Sequence, residues 1–272
     1  MQFREATAAD RDRILALRAR CFGDVDREKL DPRFWDWEFA NARIFVGEEN
    51  GEIVTHLAFV NDLAVDAMTA PSARGKGAFT GVAKYAIAHS NHEVATAYQI
   101  RGSVLGSMLR SGWTIAEHVP VLIRPAALWR SQREKGSQPD IATMSAIGGR
   151  TPEFIQWRFL DNPHWHYDIT GNGDAYLVAR KTKLKGIDTY AIVDLAFRDK
   201  RAARALLRNA IEEARAQHCL LVAALVSRHH PAFGMFLRRG FIPGPHWFRL
   251  LVHPPAAAKR RWQVMWADTD HL

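Results

Sequence analysis

Cysteine is scarce: Cys21 and Cys219 are the only two in 272 residues. Two thiols exclude a disulfide-stapled scaffold and any multi-cysteine zinc site. Long apolar runs are missing as well. The longest, Cys219–Val226, has eight residues, against the roughly 20 that a membrane-spanning helix needs. The opening MQFREATAADRDR has no apolar core, so no secretory leader is expected. Lysine is sparse too, nine against 28 arginines. The net charge of +8 is scattered along the chain, and only Lys259-Arg260-Arg261 forms a basic run. Nucleic-acid footprints are clustered, so the excess reads as surface charge plus one anion pocket. His164, His166, His229, His230 and His246 show no ligand spacing, and no metal site is expected. With 47% hydrophobic and 24% charged residues the composition is that of an ordinary globular chain. A soluble cytoplasmic protein is the expectation.

Two similar halves follow one another. Helical spacing predicts a helix over Ala8–Phe22, and Asp31-Pro32 opens a second, Phe34–Phe39. Arg43–Gly47 and Glu52–Val60 read as a hairpin, and Leu63–Thr69 as the next strand. A helix to about His89, a strand Glu93–Gln99, a helix Val104–Arg110 and a strand Thr114–Arg124 complete the set. Residues 131–150, polar and rich in Ser and Gly, read as a linker. After it the pattern restarts: a helix Thr151–Phe159, strands near Tyr167–Thr170, Asp174–Arg180 and Thr189–Phe197, a helix Arg201–Gln217, a buried strand Cys219–Ser227 and a helix Ala232–Arg239. Met108-Leu109-Arg110-Ser111-Gly112-Trp113 returns as Phe236-Leu237-Arg238-Arg239-Gly240-Phe241, 128 positions later. Such repetition at domain scale is an internal duplication.

The informative stretch is Leu63–Tyr85, LAVDAMTAPSARGKGAFTGVAKY. A strand enters a loop with two glycines and passes straight into a helix. Glycine lets the backbone approach an anion closely, and the first N–H groups of the helix point at it, aided by the helix dipole. Arg74 and Lys76 add positive charge. This is a phosphate or pyrophosphate cradle. Neither GxGxxG nor GxxxxGK[ST] is present, so the dinucleotide-fold and P-loop readings lose.

On these residues the chain resembles the GCN5-related N-acetyltransferases, as a tandem pair of such folds. The loop of that superfamily is Gln/Arg-x-x-Gly-x-Gly/Ala; Arg74, Gly77 and Phe79 occupy its first, fourth and sixth positions. The resemblance implies an α/β (α+β) fold in each half, a mixed, mostly antiparallel sheet flanked by helices. The implied division is 1–130 for an N-terminal domain, 131–150 for the linker and 151–272 for a degenerate C-terminal domain. It implies acetyl-CoA or another acyl-CoA as cofactor, bound through Met68, Thr69, Arg74, Gly75, Lys76, Gly77, Ala78 and Phe79. It also implies transfer of the acyl group to a primary amine of a small molecule, such as an amino sugar or amino-acid derivative. No nucleic acid and no membrane span are expected, and a monomer or homodimer. In the second half the loop Arg198–Ala203 has no glycine, so one cofactor site per chain is expected.

The reaction needs a base for the amine and an acid for the departing thiolate. The usual tyrosine acid of these enzymes corresponds to Met108, or Phe236 in the second half, and neither donates a proton. Tyr98 stands in as the candidate acid, against the plainer reading of an aromatic packed at a strand end. Asp66, on the strand before the loop, is the candidate base, or else the partner of an arginine. Arg101 and Ser103 are candidates for binding an acceptor's anionic group, or for solvation and helix capping. A non-catalytic CoA-binding or interaction module remains the alternative to an enzyme.

Overall fold

The computed structural model describes residues 1–23, 27–99, 102–127 and 136–269. In chain order its elements are β1 (Gln2–Glu5), α1 (Arg11–Phe22), α2 (Pro32–Glu38), β2 (Ala42–Glu49), β3 (Glu52–Val60), β4 (Leu63–Thr69), α3 (Ala78–Ser90), β5 (Ala95–Gln99), α4 (Gly102–Arg110) and β6 (Thr114–Pro125). There follow α5 (Ile141–Gly148), α6 (Pro152–Ile155), β7 (Asp168–Gly171), β8 (Ala175–Leu184), β9 (Ile187–Phe197), α7 (Lys200–Ala216), β10 (Leu221–Leu225), α8 (Phe233–Arg238) and β11 (Ile242–His253).

The chain forms two compact units, but not with the expected bounds of 1–130 and 151–272. One comprises Met1–Glu117 with Arg249–Arg260, the other His118–Phe248 with Arg261–Leu272. The division falls inside β6 and inside β11, because β5 takes Arg249–His253 of β11 as its antiparallel neighbour. The expected linker also differs. Residues 131–135 lie outside the described residues, and α5 forms within the rest, its first turn capped by Asp140, whose carboxylate accepts from Thr143 N–H at 2.7 Å.

In the first unit the strand order is β1-β2-β3-β4-β5 followed by the end of β11. β1 to β4 pair antiparallel and β4–β5 parallel, so α3 is the crossover. Strand alternation sends Leu57 and Phe59 of β3 to one face, where Phe45, Val82, Ala83, Ala86, Met108 and Trp113 join them in a buried cluster. His56 goes to the other face. There Trp35 and Phe39 stand with ring centres 6.1 and 6.2 Å from the imidazole, and Arg18 of α1 reaches Asp66. Phe3 lies against the flat surface offered by Gly47 and Gly81: a Cβ at Gly81 would come within 2.2 Å of the ring.

The second unit repeats this plan. β7, β8 and β9 are antiparallel, β9–β10 is parallel across α7, and β10 continues antiparallel to β6. Ala203, Leu206, Leu207, Ala210, Ile211 and Ala214 form the apolar stripe of α7 and pack on Leu177, Ile192 and Leu195. Residues 156–160 form a single π-helical turn after α6. The strand β11 was not foreseen from the sequence. β8 and β9 run further toward their turn than β3 and β4 do, which moves the spacing of matched residues from 120 to 128 across the hairpin. His56↔Met68 and Tyr176↔Ala196 are the matching cross-strand pairs.

Candidate functional site

The candidate site of the first unit is built where β4 and β5 part. Their parallel pairing covers Leu63↔Thr96 and Ala64↔Ala97 only. Beyond that point β5 stays with β11, through Tyr98↔Leu250 and Gln99↔Arg249. β4 stays with β3, through His56↔Met68 and Thr55↔Thr69. The carbonyl of Met68 accepts the hydroxyls of Thr55 and Thr69, each at 2.8 Å.

Eight residues, Ala70–Gly77, then lead to α3. Gly75 and Gly77 have φ of +75° and +79°, and a Cβ built on either meets nothing within 4 Å. These are left-handed positions with open space beside them, which glycine takes at little cost. Gly77 is the N-cap of α3, and no side chain caps the helix. The first amides of a helix have no acceptor inside it, so those of Ala78 and Phe79 end at the loop. Arg74 and Lys76 are exposed beside it, Arg74 bonding through Nε to the carbonyl of Thr69 at 3.2 Å. Ala78 and Phe79 are buried, and the Phe79 ring joins the cluster under α3. The structure therefore brings Met68, Thr69, Arg74, Gly75, Lys76, Gly77, Ala78 and Phe79 into one continuous strand–loop–helix path. An open helix terminus, two glycines without Cβ and two cations suit a pyrophosphate.

The corresponding place in the second unit is closed. Two residues, Arg198 and Asp199, separate β9 from α7. The Asp199 carboxylate accepts from Ala202 N–H at 2.9 Å and caps the helix itself. That bond holds the carboxyl below its usual range.

Of the two candidate catalytic residues, Tyr98 is buried on β5, one residue past the last β4–β5 pair. Met108, in the position of the usual tyrosine, is buried in the apolar cluster under α3. Asp66 is placed differently from a proton acceptor. Its carboxylate is buried and forms an ion pair with Arg18, both side chains being almost inaccessible. Burial opposes its ionisation, but Arg18, with His56 and Lys29 adding to the effect, outweighs this and keeps the carboxyl below the usual range. A carboxylate held as the anion of a buried pair is a poor base, so the arginine-partner alternative is the one this geometry favours. Arg101 lies outside the described residues, as does the side chain of Ser103.

The sequence reading missed Arg18 and His56. His56 is fully buried, and its Nδ1–H donates to the backbone carbonyl of Asp66 at 2.8 Å. Burial pushes the imidazole below its usual 6.5, and Arg18 adds to that, against the pull of Asp66. The second unit carries the counterpart: Tyr176 Oη donates to Asp194 at 2.9 Å, and Arg150 binds both Asp194 oxygens at 2.8 and 3.2 Å. Asp194 follows Asp66 by 128 positions. One signal for this correspondence was present in the sequence, since Pro32, Phe34 and Trp37 reappear 120 positions on as Pro152, Phe154 and Trp157.

Among the described residues no three His, Cys, Asp or Glu side chains group as metal ligands, and no helix is long and apolar enough to cross a membrane. No protein-family model and no curated protein matches the sequence. Solved structures do. A GCN5-related N-acetyltransferase from Kribbella flavida matches 94% of this chain with 73% of its own, at 16% identity and a TM-score of 0.68. One from Anabaena variabilis matches 92% with 72% of its own, at 13% identity and a TM-score of 0.68. A tandem GNAT protein from the clavulanic acid biosynthesis pathway matches 92% with 97% of its own, at 14% identity and a TM-score of 0.59. The fold is that of the GCN5-related N-acetyltransferases, and the chain carries it twice.

Proposed function

We propose that the protein is an acyl-CoA-dependent N-acyltransferase, with acetyl-CoA as the first choice of donor, acting on a primary amine of a small molecule. The observation that carries this reading is the open N-terminus of α3 behind Gly75 and Gly77. The fold supports the reaction class, and the similar proteins from Anabaena variabilis and Kribbella flavida are GCN5-related N-acetyltransferases.

In this reading the amides after Gly77, with Arg74 and Lys76, hold the pyrophosphate, and Met68 and Thr69 flank the pantetheine arm. Bound acyl-CoA supplies an activated acyl group that an amine accepts by direct attack, giving an amide and the free thiol. Tyr98 Oη is the proposed proton donor to the departing sulfur. Asp66 serves as the anion of its pair with Arg18, so the acceptor enters as the free amine and the rate rises with pH until that amine is deprotonated. An amino sugar or amino-acid derivative is the acceptor class proposed. Release of free thiol from acetyl-CoA over a panel of such amines tests the reading. Amine-dependent release is the expected result; CoA binding without release on any amine supports the non-catalytic alternative.

A further inference from the structure

Each half has a register shift between the strand that leads into the crossover helix and its antiparallel neighbour, but not at the same residue. In the second unit Val178 pairs with Asp194 and Ala179 with Ile192, so Val193 is the extra residue. In the first unit Ala58 pairs with Val65 and His56 with Met68, so the extra residue falls at Asp66 or Ala67. Asp66 has a φ of +54°, whereas Asp194 is not among the left-handed residues. A non-glycine residue in that region costs of the order of 1 kcal/mol or more and persists only where its surroundings hold it.

The holding contact is visible. Tyr176 reaches the carboxylate of Asp194, whereas His56 reaches past the carboxylate to the backbone carbonyl of Asp66. A carbonyl only accepts, so Nδ1 carries the proton. The pair with Arg18 fixes the side chain of the same residue from α1. This arrangement is also the less satisfied of the two. Arg18 Nε, His56 Nε2 and Asp66 Oδ2 are buried without a hydrogen-bond partner, and none of the Arg150, Asp194 and Tyr176 side-chain atoms is in that state. Of these two corresponding clusters, the one in the half with the open cradle bears the strained aspartate and the unmet atoms, and strain of this kind gathers at functional places.

We infer that His56 is a positioning residue: its Nδ1–H bond to the Asp66 carbonyl fixes the bulge of β4 at Asp66, and so sets the path of Ala67–Thr69 past the point where β4 leaves β5. The inference rests on the proposed transfer reaction only for what that path serves, which is alignment of the acyl group beside β4. The charged groups that act on His56 are Arg18 from α1 and Asp66 from β4, and Lys29, paired with Glu38 of α2 at 3.3 Å, acts on Asp66. Trp35 and Phe39 supply only rings.

The test compares His56→Asn, whose side-chain amide N–H falls close to the position of Nδ1–H, with His56→Leu, which has no donor. Each full-length variant is followed by thermal melting, by amide hydrogen exchange over residues 66–69, and by kcat and KM for acetyl-CoA. His56→Leu is expected to raise exchange at 66–69 at least tenfold and to lower kcat at least tenfold, with KM for acetyl-CoA within about twofold. His56→Asn is expected to restore most of both. If neither variant changes exchange, or if Asn fails wherever Leu fails while both remain folded, the positioning role is wrong. If His56→Leu does not fold, the decision passes to His56→Asn: wild-type exchange at 66–69 and near-wild-type kcat support the role, and loss of either rejects it. Absence of turnover in the wild type removes the proposed reaction but leaves the exchange comparison to decide the lock.

Discussion

Gly77 and Asp199 occupy the same place in the two halves, the residue immediately before the crossover helix, and they leave its terminus in opposite states. Gly77 is left-handed and offers no side chain, whereas Asp199 is extended and bonds Ala202 N–H with its own carboxylate. A helix terminus attracts anions. In the second half the anion is built into the chain, and in the first the terminus is left open.

The buried pair of Arg18 and Asp66 is expected to matter more for stability than for proton transfer. Removing one partner of such a pair typically costs about 3–5 kcal/mol, because the other is left charged and buried. Arg18→Ala should therefore lower the denaturation midpoint sharply. Arg18→Met combined with Asp66→Asn, which leaves no buried charge at the pair, should recover much of the loss. A single variant as stable as the wild type would show that the pair is not formed.

Acid should destabilise the protein from about pH 6.5 downward. His56 is held neutral when folded, with its pKa lowered from 6.5, so below 6.5 the unfolded chain takes up a proton that the folded chain refuses. Stability then falls with pH, by up to about 1.4 kcal/mol per pH unit for each such proton. Asp66, also lowered, adds its loss only at pH below its usual 3.8. Chemical denaturation at pH 7.5, 6.5 and 5.5 checks the sign, and His56→Asn should flatten the slope. His230 and His253, shifted the same way by burial, will keep part of it.

The packing of Phe3 gives a test of the first unit that needs no assay. Gly81→Ala places a methyl within 2.2 Å of the Phe3 ring and should cost about 1–3 kcal/mol as overpacking. Phe3→Leu in the same chain should return part of it. If the single substitution stabilises the protein, as alanine often does in a helix, Phe3 does not lie over Gly81.

Tyr98→Phe should be mild. A thiol of pKa near 8.5 leaves as the anion with modest help, so the change should sit at or below the low end of the usual 10²–10⁴-fold contribution of a general acid. The pH–rate profile resolves the role. If Tyr98 is the donor, the loss shrinks as the pH rises past the pKa of the thiol, where the sulfur leaves as the anion without help. An unchanged rate at every pH would leave Tyr98 as a packed aromatic.

Local pattern made the crossover legible. Leu63–Thr69 is a strand with the bounds its composition suggested, and the glycines announce the break before α3. Pairing over long sequence separations was not legible. Arg18 and Asp66 are 48 positions apart, and neither residue type reveals which face of its element it occupies. The unit boundary was hidden for the same reason, because β11 joins β5 from about 150 positions away. α5 escaped notice because IATMSAIG is short and lies in a polar stretch; its one local mark was the Asp140 cap.

Calorimetric titration with CoA decides whether the open terminus of α3 is the cofactor site. One site per chain is predicted, lost in Gly77→Glu, which fills the open left-handed position and adds a negative charge, and retained in Asp199→Ala. Two equivalent sites, or binding that survives Gly77→Glu in a folded protein, would contradict the account.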